Sequence, residues 1–337
     1  MGRRTLQGFL FESILSKFPS RSSAVEAISE MFDLGKDAIY RRLRGDTLLT
    51  PDEIGHLAEA FNISLDAHIF ENNNTVFFQY SPFTRQVKEF SDYLGQILTD
   101  VEMIAKLPNP RILYVSAEIP LFHYCLIPEI IAFKLYVWGR TFWEFEYLKD
   151  RQFDFDLISY PIIKMTEDLT KLYRNIPTTE LWNSNIVDFT LSQIEYHVMT
   201  GGFRDPNDAL ILCDRLNDLM DHLRNMAAHG RKSLVNSKPE DSSGASFDLY
   251  HNEMVYANNT IIVMTDKGKA VYTAYGNPNF LKSTDRKMCD YSENWFMNLT
   301  QNSIPMSNHA EKSRSWFFNS IKKKLEMARK RIEAQVT

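Results

Sequence analysis

Helix start and stop signals follow one another so closely through the first 66 residues that only short helices fit between them. Leu6, Phe9, Leu10, Ile14 and Phe18 recur at helical spacing, and Pro19 ends the run. Ser23-x-x-Glu26 fits a capping box, in which the serine oxygen and the glutamate carboxylate each satisfy a free backbone amide. The helix it opens carries Val25, Ile28, Met31 and Phe32. A turn at Asp33-Leu34-Gly35 leads into a third helix, closed by Gly45 where a C-cap belongs. Thr50-Pro51-x-Glu53 is the strongest start signal: threonine as N-cap, proline in the first helical position, glutamate completing the box. Ile54, Leu57, Ala58 and Phe61 form the buried stripe of that last helix. These signals predict a small all-α domain over residues 1–70.

The third helix gathers Lys36, Asp37, Tyr40, Arg41, Arg42 and Arg44 into nine residues. The segment AISEMFDLGKDAIYRRLRGDTLLTPDEIGHLAEAFNISLD resembles the Cro/C1 repressor-type helix-turn-helix family over about one fifth of the chain. Within it, YRRLRG followed by LTPDEI resembles a variant of Bacteroidetes regulators. Two positions depart from the family pattern: Ser29 where alanine is common, and Leu43 where an acidic residue is common. The resemblance implies a DNA-binding head whose third helix enters the major groove of double-stranded DNA. It nominates Lys36, Asp37 and Arg41 for base edges, with Arg41 suited to a bidentate contact with guanine. Tyr40, Arg42 and Arg44 are then placed for phosphates, which position a protein without reading sequence. A lone head makes few phosphate contacts, so the reading calls for a homodimer presenting two.

Residues 71–107 read as a connecting helix. Glu71-Asn72-Asn73-Asn74 is a polar break, Ser81-Pro82 opens the helix, and Leu107-Pro108-Asn109-Pro110 stops it. Phe83, Val87, Phe90, Leu94, Ile97, Val101 and Ile104 alternate steps of four and three, the period of a coiled-coil seam. Two readings stand open: a seam between two chains, or an ordinary amphipathic helix packed on its own domain.

Residues 108–337 mix element types and predict a helix-rich α/β (α+β) domain for regulation or ligand sensing. Strands are expected over residues 111–116, 254–256, 260–264 and 270–275, the last two forming a hairpin across Gly268. Helices are expected over 128–147, 161–173, 179–199, 206–229, 285–299 and 310–332, and a loop over 237–246. The aromatic load would suit either an apolar pocket for a small-molecule effector or a dense core without one.

No basic excess exists to hold a polyanion everywhere, since 38 basic residues face 43 acidic ones. Cys125, Cys213 and Cys289 are odd in number and widely spaced, which argues against a zinc ribbon or a disulfide framework and for a reducing compartment. The N-terminus lacks a signal-peptide core, and the most apolar stretch, 112–138, is interrupted by Glu118, Glu129 and Lys134, so a cytoplasmic location without membrane partners is expected. His222 and His229 share a helix face but have no companions at metal-ligand spacing. No phosphate-binding loop, dinucleotide fingerprint or nucleophile elbow occurs, so no catalytic residue, metal or cofactor is nominated. The sequence reads as a DNA-binding transcription regulator with a small-molecule or protein effector. Its alternatives are a protein-interaction scaffold and an enzyme with an unrecognised C-terminal site.

Overall fold

The computed structural model describes residues 5–66, 75–80, 86–235, 244–254, 258–276 and 278–336. Four helices occupy the N-terminal part: α1 (Leu6–Leu15), α2 (Arg21–Phe32), α3 (Lys36–Arg44) and α4 (Pro51–Ala60). Local chemistry sets their ends. Ser20, not Ser23, caps α2, and the two serines form a reciprocal box. Asp33 closes that helix in the left-handed region, φ 50°, and Gly45 closes α3 at φ 83°. At α4 the box is the expected one, with Thr50 Oγ1 accepting from Glu53 N at 3.2 Å and Glu53 Oε2 accepting from Thr50 N at 2.7 Å. Leu10, Ile14, Val25, Ile28, Ile39 and Leu57 cluster with one another and, among the described residues, with no hydrophobic side chain beyond Leu65. Met31, expected in the stripe of α2, is exposed.

The rest of the chain is a mixture of helices and one eight-stranded mixed sheet. In chain order its elements are β1 (Gln79–Tyr80), α5 (Phe90–Lys106), β2 (Arg111–Ser116), α6 (Leu121–Tyr124), α7 (Pro128–Thr141), α8 (Tyr160–Arg174), β3 (Thr178–Trp182), α9 (Asp188–Met199) and α10 (Asp208–His229). There follow β4 (Phe247–His251), β5 (Thr260–Thr265), β6 (Gly268–Ala274), β7 (Phe280–Ser283), α11 (Arg286–Gln301), β8 (Ile304–Pro305) and α12 (Glu311–Val336). The strand order is β1-β7-β6-β5-β2-β3-β4-β8. β2, β3 and β4 run parallel, while β5, β6, β7 and β1 form an antiparallel meander on one side. Helices α5 to α10 and α12 contribute to a large core on one face, and α11 packs Cys289 and Phe296 onto Leu113, Val115 and Val271 on the other. No helix among the described residues is long and apolar enough to cross a membrane.

Several expectations are corrected. The helix expected over 179–199 is two elements, strand β3 and helix α9. β3 lies between parallel neighbours and is nearly buried throughout, so it shows no alternation to betray a strand. A strand at 247–251 replaces the one expected at 254–256: Met254 is exposed outside any strand, and residues 255–256 lie outside the described ones. The polar break at 71–74, residue Phe83 and most of the 237–246 loop also fall outside them.

The helix expected to open at Ser81-Pro82 starts at Phe90, where Asp92 Oδ2 accepts from the amides of Lys88 (2.9 Å) and Glu89 (3.1 Å). Its heptad face is consumed within the chain. Phe90, Leu94 and Val101 are buried in the large core, and Val87, Ile97 and Ile104 pack against it. The reading of these residues as a dimer seam is therefore overturned in favour of intramolecular packing. β1 pairs with β7, so the stretch expected to connect two domains is built into the sheet-bearing one.

Candidate nucleic-acid interface

The exposed face of α3 depends on what fixes its inner face. Ile39 is fully buried, and Tyr40 and Leu43 pack against the same cluster. Ser29 Oγ donates to Leu34 O across the α2–α3 turn, which gives the serine found in place of alanine a structural task. Gln7 of α1 ties down the far end. Its Nε2 donates to Arg42 O (2.7 Å) and Thr47 O (2.9 Å), and its Oε1 accepts from Leu49 N (2.8 Å). The turn from α2 into α3 is three residues long.

With that face inward, Lys36, Asp37, Arg41 and Arg44 are exposed. Arg41 has no side-chain hydrogen bond or ion pair among the described residues. The other cations are engaged. Lys36 Nζ donates to Glu26 Oε1 at 2.7 Å, a bond that holds the carboxyl below its usual range and the ammonium above its own. Arg44 Nε donates to Asp46 Oδ2 at 2.8 Å. Both pairs are solvent-exposed, where water and salt screen them strongly. Arg42 is different: it is mostly covered, and its Nη2 donates to Glu53 Oε1 at 2.8 Å. The Thr50 amide first, and then Arg42, draw the Glu53 carboxyl below its usual range despite its partial burial. This corrects the phosphate role expected for Arg42, which instead braces α3 against the start of α4. Tyr40 is half-buried, with the Arg21 guanidinium 5.8 Å from its ring centre. Residues 21–50 hold five basic and five acidic side chains, whereas α3 alone holds four basic and one acidic. Any cationic field is therefore that of one helix face.

The sheet-bearing part holds two buried ionic clusters that the sequence did not disclose. Glu180 of β3 accepts from His123 Nε2 (2.9 and 3.0 Å), Tyr173 Oη (2.9 Å) and Trp182 Nε1 (3.0 Å). Burial alone would raise this carboxyl, but the charge and hydrogen bond of His123, with Lys232 beyond, hold it below the usual range. Lys232 Nζ donates to Tyr173 O (2.9 Å) and Ile176 O (2.7 Å), and burial pushes it well below an ordinary lysine. In the second cluster Lys134 Nζ donates to Glu118 Oε2 (3.0 Å) and Gln193 Oε1 (2.9 Å) among the rings of Tyr124, Trp138 and Phe189. Here burial lowers the lysine against the pull of Glu118. Glu180, His123, Lys232 and Lys134 are buried and their polar atoms are satisfied from within, as buried charges must be.

An open cavity of about 650 Å³ is lined by Asp154, Phe155, Asp156, Arg204, Asp205, Pro206 and Asp208. His222 Nε2 donates to Ser233 O (3.1 Å) and His229 Nδ1 to Asn225 O (2.8 Å). Among the described residues no group of three or more His, Cys, Asp or Glu is placed to hold a metal ion. No family model, no curated protein and no solved structure matches the chain.

Proposed function

We propose that the chain is a sequence-specific, DNA-binding transcription regulator of the cytoplasm. In this reading residues 1–70 form a Cro/C1-type helix-turn-helix head, α3 is the recognition helix, and the sheet-bearing part responds to a small-molecule or protein effector. Catalysis plays no part in it. The observation that carries the reading is Arg41: exposed, and without a hydrogen bond or ion pair from its side chain among the described residues, on the outward face of a helix whose inward face is anchored at both ends. Lys36 and Arg44 flank it in exposed pairs that a phosphate displaces at little cost.

The test begins with selection of a preferred site from random duplexes by the full chain, followed by fluorescence anisotropy across a salt series. Arg41→Ala is expected to lose about 1–3 kcal/mol, roughly 5- to 150-fold, and to relax preference at one base pair. Arg44→Ala is expected to weaken all duplexes alike and to reduce the salt slope by about one. A second reading, a protein-interaction scaffold, is favoured by the balance of five basic and five acidic residues over 21–50. It requires that no site be enriched and that both variants leave duplex binding unchanged.

A further inference from the structure

The end of α4 leaves two carbonyls to be satisfied from outside the helix. Asn62 takes the left-handed region, φ 49°, and Ile63 N donates to Ala58 O at 2.8 Å, so the last turn closes on itself. Phe61 O and Asn62 O lie beyond that closure. Phe61 O accepts from Lys17 Nζ at 2.6 Å, and Lys17 belongs to the same four-helix head, two residues past the end of α1. Asn62 O accepts from Gln79 Nε2 at 2.8 Å, and Gln79 belongs to the sheet. It is fixed there, because Gln79 pairs with Lys282 of β7 and Phe77 O accepts from Ser283 Oγ at 2.8 Å.

The surroundings of this bridge are polar. Lys282 and Asp100 are electrostatic neighbours of Lys17, and all three are half-buried. Lys282 Nζ stands 5.2 Å from the Tyr272 ring centre, and Asp100 pulls on it as well as on Lys17. One carboxylate thus serves two ammoniums that repel each other across the joint. Among the described residues no hydrophobic cluster takes side chains from both sides: that of the head ends at Leu65, and the other two begin at Val87 and Leu113. A joint built from hydrogen bonds and screened charges lacks the apolar burial that makes docking permanent.

We infer that this bridge is a releasable latch: Asn62 and Gln79 hold the head at the β1–β7 edge, Asp100 offsets the Lys17–Lys282 repulsion, and the head can leave without either part unfolding. Released, the head keeps its fold, because its apolar cluster is its own and Lys17 still caps α4 from within. Held, α3 has a fixed direction relative to the sheet. The inference concerns attachment alone and stands whether or not α3 binds DNA.

Double electron–electron resonance on the full chain tests it. Spin labels go on Ser22→Cys in α2 and Tyr291→Cys in α11, both exposed positions, while Cys125, Cys213 and Cys289 are buried. The chain carrying only these labels is expected to show one narrow distance. Gln79→Leu removes one hydrogen bond and should raise the ratio of released to held head about two- to tenfold. Asp100→Asn leaves the two ammoniums without their carboxylate and should also raise it, and adding Lys282→Gln should bring it back. Gln79→Leu together with Asp100→Asn should give a second, broad population of distances. Gln152→Leu, which removes a comparable exposed bond to Gly201 O (2.8 Å) elsewhere in the sheet-bearing part, should change nothing. Unchanged circular dichroism certifies that each variant is folded. A broad distribution without any latch substitution overturns the held state. A narrow one that survives Gln79→Leu with Asp100→Asn overturns the latch.

Discussion

Replacing Gln7 by methionine should unfasten α3 without touching any residue on its outer face. Gln7 is 8% exposed, and its amide makes three bonds to backbone groups 35 to 42 residues away. Methionine keeps the length and removes all three. Leu49 is buried, so its N–H has no route to water, and a buried donor left without a partner costs about 1–3 kcal/mol. The carbonyls of Arg42 and Thr47 border solvent and recover water, so each loss is nearer ~0.5–1 kcal/mol. The apolar side chain returns part of this through burial, leaving a net loss of about 2–3 kcal/mol. Against a typical ~5–15 kcal/mol for a whole folded unit, that loss is large. All five tryptophans lie at position 138 or beyond, so their fluorescence reports only the sheet-bearing part, whereas far-ultraviolet circular dichroism reports every helix. Urea titration of Gln7→Met should therefore shift an early dichroism transition and leave the fluorescence midpoint in place. If the unfolding free energies from both transitions stay within about 0.5 kcal/mol of wild type, the amide is not what holds the end of α3, and the argument fails.

Two further outcomes follow from buried charge. Glu118→Ala leaves the Lys134 ammonium without its carboxylate and should cost about 3–5 kcal/mol by urea unfolding, most of which Lys134→Met in the same chain should recover; strictly additive losses would refute the coupling. Lys17 Nζ donates to Phe61 O at 2.6 Å, and burial first, then Lys282, lower it to about 8 against the pull of Asp100. Between that value and 10.5 the unfolded chain binds the proton and the folded chain does not. Stability therefore rises with pH across this window, and wild type should gain on Lys17→Met between pH 7.5 and 10; a flat difference would sink the assignment.

What the sequence disclosed was local. Thr50 and Glu53 cap α4 through bonds that span three residues, and Gly45 ends α3 by its own φ. The start of α2 is ambiguous in the sequence because SRSS offers three candidate caps, and a box made by two serines lacks the glutamate that the pattern asks for. The coiled-coil reading of α5 failed for a geometric reason. A 3.5-residue repeat drifts about 20° per heptad from a straight helix, so three heptads drift ~60°, still within the ~100° width of an ordinary buried stripe. Spacing over that length cannot say whose core the stripe enters. Here it enters its own.

The candidate interface divides along the same line. That Lys36, Arg41 and Arg44 face outward follows from the position of Ile39 on a nine-residue helix, which is sequence-local. Which of them is free does not. Glu26 lies ten residues before Lys36 and Glu53 eleven after Arg42, and only tertiary packing brings each pair together. The same holds more strongly for Glu180 and His123, which are 57 residues apart. A glutamate or lysine is assigned to the surface by default, because burial is so costly that it survives only with a partner already in place. The partner for Glu180 arrives through the crossover joining parallel strands β2 and β3, while Lys134 meets Glu118 from sixteen residues earlier and Gln193 from the α9 helix beyond β3. Neither topology is written in the neighbourhood of the charge. Arg41 is the converse case: among the described residues no such partner reaches it, and the carboxylates of Glu26, Glu53 and Asp46 are taken up by Lys36, Arg42 and Arg44.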